Sequence, residues 1–148
     1  MKDIIPQPAT PSKKVKWAGR VMSTLPVLLL VFSASMKFMK PPPVLEGLAH
    51  FGIAERLVLP LGVLEITCTI IYLIPQASVL GAILLTGYLG GATMTHLRVG
   101  EPVFMPVLAG VLVWGGLFLR EPRLWVLIPF RRTTSSLSQQ QPGTEAKL

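Results

Sequence analysis

The sequence predicts an all-α integral membrane protein: a four-helix bundle with a short interfacial segment at its C-terminal end. Three observations carry this. Of 148 residues, 51% are hydrophobic and only 14% are charged, whereas an ordinary soluble domain carries about 25% charged residues. Four apolar runs follow one another between Val21 and Leu119, each close to the ~20 residues that cross a bilayer as a helix. The basic residues Lys13, Lys14, Lys16 and Arg20 precede the first run, and Arg120, Arg123, Arg131 and Arg132 follow the last. That is the pattern of cytoplasmic membrane flanks.

The first run extends from Val21 to Met39, about 28 Å as a helix. Pro26 lies near its start, and Lys37 and Lys40 are expected to snorkel to the headgroups at its far end. Leu25 to Phe32 followed by Ser33-Ala34-Ser35 has some features of a signal peptide. The long proline-bearing stretch before it, and the apolar residues beyond it, favour an uncleaved span. The second run is Leu57 to Ile74, with Pro60 expected in its first turn. Only Pro75 and Gln76 separate it from the third run, Ala77 to Leu97, so these two should form a tight hairpin. The fourth run is Val103 to Leu119, with Pro106 in its first turn.

Leu124 to Phe130 is too short to cross and, flanked by arginines, reads as an interfacial anchor. The expected organisation is a disordered basic head over 1–16, a membrane domain over 17–132, and a Ser/Thr/Gln-rich disordered tail over 133–148. An even number of spans puts both termini on one side. The positive-inside rule makes that side the cytoplasm.

Several function classes fall away. The net charge of +7 resembles that of a nucleic-acid binder, but the charges sit where topology already needs them, so no nucleic-acid partner is expected. The single cysteine, Cys68, forms no internal disulfide and no CxxC. His50 and His96 are far apart in sequence, and no metal-ligand cluster is visible. No Walker motif, GxSxG, HExxH or GxGxxG on a strand–helix unit is present, so no independent catalytic activity is expected.

The third run carries Gly87 and Gly91 as a GxxxG, and Thr95 extends the small stripe. Such residues let helices approach closely in lipid. Packing within the monomer, answered by Gly110, Gly115 and Gly116 of the fourth run, is expected ahead of a homodimer seam. Glu65 stands at the middle of the second run. A carboxylate there costs roughly 2.5–3.5 kcal/mol on the insertion scale and normally faces the bundle interior. Cys68, Thr69 and Tyr72 share its helical face. Glu65 is either hydrogen-bonded glue or part of a proton relay or ligand anchor. Ser33 and Lys37 face the same way on the first run, and Tyr88, Ala92 and Thr95 share a face on the third. His96 and Arg98 end that run, as interfacial side chains or as partners for an anionic or quinone-like headgroup. The candidate ligand-binding set is therefore Lys37, Glu65, Tyr88, His96 and Arg98, of which Lys37, Glu65, His96 and Arg98 are expected around one outward-opening cavity.

These residues bring a resemblance with them. Phe32-Ser33-Ala34-Ser35-Met36-Lys37, Leu61-Gly62-Val63-Leu64-Glu65, and Leu84 to Ala92 running on to Thr95-His96-Leu97-Arg98 are similar to DoxX-like membrane proteins over residues 20–131. The resemblance implies a four-helix bacterial inner-membrane protein. The wider family includes a subunit associated with thiosulfate:quinone oxidoreduction, and distant relatives assist membrane-protein assembly. The expected function is thus an accessory membrane subunit linked to redox processes, with quinone as the candidate cofactor and a membrane redox partner. A non-enzymatic scaffold or assembly factor is the alternative. A small transporter is third, since four spans are few and no inverted repeat is apparent. The chain lacks the cysteine pairs of some redox relatives, which argues against thiol chemistry of its own.

Overall fold

A computed structural model describes residues 12–122 and 124. Five helices follow in order: α1 (Lys13–Met39), α2 (Pro42–His50), α3 (Glu55–Leu73), α4 (Ser78–Arg98) and α5 (Phe104–Arg120). The described residues contain no strand. The head over 1–11, the tail over 133–148 and all of the interfacial segment except Leu124 lie outside the described residues.

α1, α3, α4 and α5 form a closed ring in which α1 packs on α5 and α3, α3 on α4, and α4 on α5. α1, α3 and α4 are long and apolar enough to cross a membrane. α5 has 17 residues, or about 26 Å, and completes the bundle. The outward surface is apolar, with Leu25, Leu28, Phe32, Leu80, Ile83 and Val111 all exposed. In water this face would be a large liability; against lipid it is what a spanning helix presents.

Two boundaries and one helix differ from the sequence reading. α1 begins at Lys13, eight residues before the apolar run. Ser12 caps it by accepting a hydrogen bond from the Val15 N–H, so Lys13–Lys16 belong to the helix and not to a disordered head. The extension puts basic residues on the terminal end of the bundle without interrupting the helix. Because α3 begins at Glu55, Pro60 is its sixth residue and sits in the second turn, not the first. α2 was missed altogether. Its signal is readable afterwards: prolines occupy its first positions, where a missing N–H costs nothing, and Val44, Leu45 and Leu48 fall one turn apart.

The α3–α4 hairpin is clamped near its turn. A Cβ added at Gly81 would lie 2.3 Å from the Tyr72 backbone. Glycine is required there because backbone meets backbone. The other close approaches join α1 to α5, where Gly19 meets Leu119 and Gly116 meets Ser23. The expected packing at Gly87 and Gly91 is not found: a Cβ at either position meets nothing within 4 Å. Gly110 makes an ordinary contact with Leu89 at 3.8 Å, and Thr95 turns its hydroxyl back to the Gly91 carbonyl.

Candidate functional site

The polar face predicted for α3 is real. Glu65, Cys68, Thr69 and Tyr72 are all buried. Near the terminal end, Tyr72 is held from three sides. Its hydroxyl donates to the Val113 carbonyl at 2.9 Å and shares a second hydrogen bond of 2.9 Å with Ser23 Oγ. The Arg120 guanidinium lies 4.7 Å from its ring centroid. These contacts tie α1, α3 and α5 together.

Glu65 is placed differently. It is the eleventh residue of α3, about 15 Å from the helix start, and only 2% exposed. Lys37 Nζ donates to Glu65 Oε2 at 2.9 Å and to Ser33 Oγ at 2.7 Å. Ser33 in turn donates to the same carboxylate oxygen at 3.3 Å. Lys37 therefore does not snorkel outward as expected. Its ammonium turns into the bundle because Glu65 offers a counter-charge that lipid cannot. Gly62 permits this, as the Lys37 Cβ is 3.1 Å from the place where a side chain at 62 would begin. Thr69 donates to the Glu65 backbone carbonyl. Among the described residues, every buried side-chain nitrogen and oxygen has a hydrogen-bond partner.

The ion pair forms part of the wall of a cavity of about 710 Å³ at the α2 end of the bundle. Tyr88 of α4 lines the same wall within interaction range of Glu65. His96 lines it one level higher, with Nδ1 2.8 Å from the Ala92 carbonyl oxygen and its ring 4.6 Å from that of Phe51. The rest is mostly aliphatic, from Leu29 and Leu30 of α1, Leu61 of α3 and Ala109 of α5. Leu48 of α2, with Phe51 and Ile53 of the loop that follows, also borders it.

Four of the five candidate residues, Lys37, Glu65, Tyr88 and His96, thus meet at one cavity. Arg98 does not. Its guanidinium donates to the Phe51 carbonyl and fixes the α2–α3 loop. The loop turns at Gly52, whose φ of 71° suits a residue without a Cβ. Sequence could not anticipate this, because the loop conformation that offers the carbonyl is set by the unrecognised α2. Sequence reasoning also left Phe51 and Ser33 out of the site residues. Ser33 had a signal, its four-residue spacing to Lys37; Phe51 had none. Among the described residues no group of three or more His, Cys, Asp or Glu side chains could hold a metal ion.

An apolar cavity with a buried acid–base pair in its wall, inside a ring of membrane-spanning helices, defines the class: a small helical membrane protein with an intramembrane polar centre. The DoxX-like family model matches residues 21–116, and the chain belongs to that family. No curated protein and no solved structure matches it.

Proposed function

We propose that the protein is an accessory membrane subunit that binds a quinone-type amphiphile in the cavity beside Lys37 and Glu65 and serves a membrane redox process. The observation that carries this reading is the cavity itself. Its volume of about 710 Å³ falls within the range of small-molecule sites, which are mainly apolar with a few convergent polar groups. Lys37 can donate to a carbonyl oxygen of the head, and Tyr88 can donate or accept. Glu65 can accept a proton from a hydroxyl head. The aliphatic walls suit a hydrocarbon body. The membrane is the bacterial inner membrane in this reading, with both termini in the cytoplasm.

The test is titration of the detergent-solubilised protein with a decyl-tailed benzoquinone. Loss of one hydrogen bond to a charged group, worth about 1.5–3 kcal/mol, should weaken binding by roughly tenfold or more in Glu65→Gln. Saturable binding that this change weakens is the expected result. Equal affinity, or no binding to the wild type, would count against the reading.

One observation favours a scaffold instead. Lys37, Ser33 and Glu65 satisfy one another without a ligand, so the group also works as a clasp between α1 and α3. In that case Glu65→Gln should lower stability and leave any partner complex intact.

A further inference from the structure

The cavity reaches the surface of the bundle at Leu29 of α1 and Met105 of α5, which line it and are exposed, and at five further residues that lie along one seam between α3 and α4. On α3, Gly62 faces α1, because Lys37 and Phe38 are its neighbours. At 100° per residue, Leu57, Pro60 and Leu64 occupy the opposite edge of that helix, the edge towards α4. All three line the cavity and are also exposed. On α4, Thr86 faces α5, where Trp114 Nε1 donates to its hydroxyl. Gly87 and Gly91 fall on the other edge, towards α3. They too line the cavity and are exposed, and a Cβ at either would stand in open space.

At Gly81 and Tyr72 the backbones of the two helices are in contact; at the level of Leu64 and Gly87 both helices line the cavity instead. Leu80 and Leu84, which share the Gly87 edge of α4, are exposed and apolar, and the buried carboxylate of Glu65 lines the cavity behind that edge.

We propose that the cavity opens sideways into the bilayer between the α2-end halves of α3 and α4, with Gly87 and Gly91 as the sill of the entrance. Its ligand is then a molecule dissolved in the lipid, with an apolar body, that reaches Lys37 and Glu65 without passing through water. The missing side chains of the GxxxG keep a passage clear and do not seat a neighbouring helix. The α2–α3 loop, pinned by Arg98, closes the route from the helix ends. This deepens the ligand-site reading and rests on it for the nature of the ligand, but the passage can be tested without a ligand.

The experiment uses the full chain with Trp17, Trp114 and Trp125 changed to Phe and a single reporter, Leu61→Trp, inside the cavity. It is reconstituted in phosphatidylcholine vesicles whose acyl chains are brominated near their middle, since bromine quenches tryptophan on contact. The reporter should be quenched. Adding Gly87→Leu with Gly91→Leu should abolish the quenching while helicity is retained, because both positions have space and leucine is the better helix former. Leu64→Phe on the facing edge should act in the same direction. An unquenched reporter in the starting protein would overturn the lateral entrance, as would quenching that persists through both changes. Failure of the quinone titration alone would overturn the ligand reading and leave the passage standing.

Discussion

Glu65 and Lys37 are each expensive inside a membrane and tolerable together. Their 2.9 Å contact converts two isolated charges into a pair, with Ser33 filling one of the ammonium's remaining hydrogen bonds. The cost of breaking such a pair is asymmetric. Removing one partner leaves an uncompensated buried charge, at about 3–5 kcal/mol, while replacing both by apolar groups is often close to neutral. Lys37→Met should therefore destabilise the protein by about 3–5 kcal/mol, measured by reversible unfolding in mixed micelles. The double change Lys37→Met with Glu65→Leu should recover most of that loss. If the double variant is as unstable as the single one, the pair is not what holds α1 to α3. At this scale the sequence was partly legible. The polar face of α3 followed from helical spacing, and so did the pairing of Ser33 with Lys37 on one side of α1. Contact between Lys37 and Glu65 depends on the rotation of α1 against α3, which Gly62 allows and no periodicity reveals. The contact made by Arg98 was illegible for a related reason: its partner is a backbone carbonyl, which has no signature in sequence.

Among the elements, the four bundle helices were visible because each is a long apolar run. Their packing was not. The sequence offers many glycines, and their roles divide by what stands opposite. Gly81 abuts backbone that cannot move aside. Gly81→Ala should cost about 1–3 kcal/mol, the usual penalty of overpacking. Gly87→Ala should cost nothing and can gain up to about 1 kcal/mol of helix propensity. The same unfolding assay checks both, and equal effects at the two positions would refute this division of roles. α2 escaped notice because nine residues are too few to raise a membrane-length signal and three prolines in a row read as a linker. With Arg98 holding the loop after it, Arg98→Ala should raise amide hydrogen exchange at Phe51–Ala54 and leave α3 and α4 protected. Unchanged exchange in that loop would mean the guanidinium is not its anchor.

At the scale of the whole molecule, the ring of four helices separates two ends with different work. The terminal end is filled: glycine contacts and the hydrogen-bonded Tyr72 close α1, α3 and α5 on one another. The α2 end is hollow, and there Lys37, Glu65 and His96 line the cavity. This division follows from where the glycines meet backbone and where they meet space, which composition alone does not distinguish. The long basic start of α1 belongs to the filled end, so that end is the cytoplasmic one in the proposed topology. Reporter fusions at both termini should score as cytoplasmic, and an external signal from either would reverse the orientation. In the proposed function the hollow end holds a small apolar ligand. Native mass spectrometry of the protein, released gently from its own membrane, tests this most directly. A lipid-sized adduct is expected on the wild type and is lost or weakened in Glu65→Gln. A bare polypeptide, or one carrying only other proteins, would contradict it and make the Lys37–Glu65 pair a structural clasp.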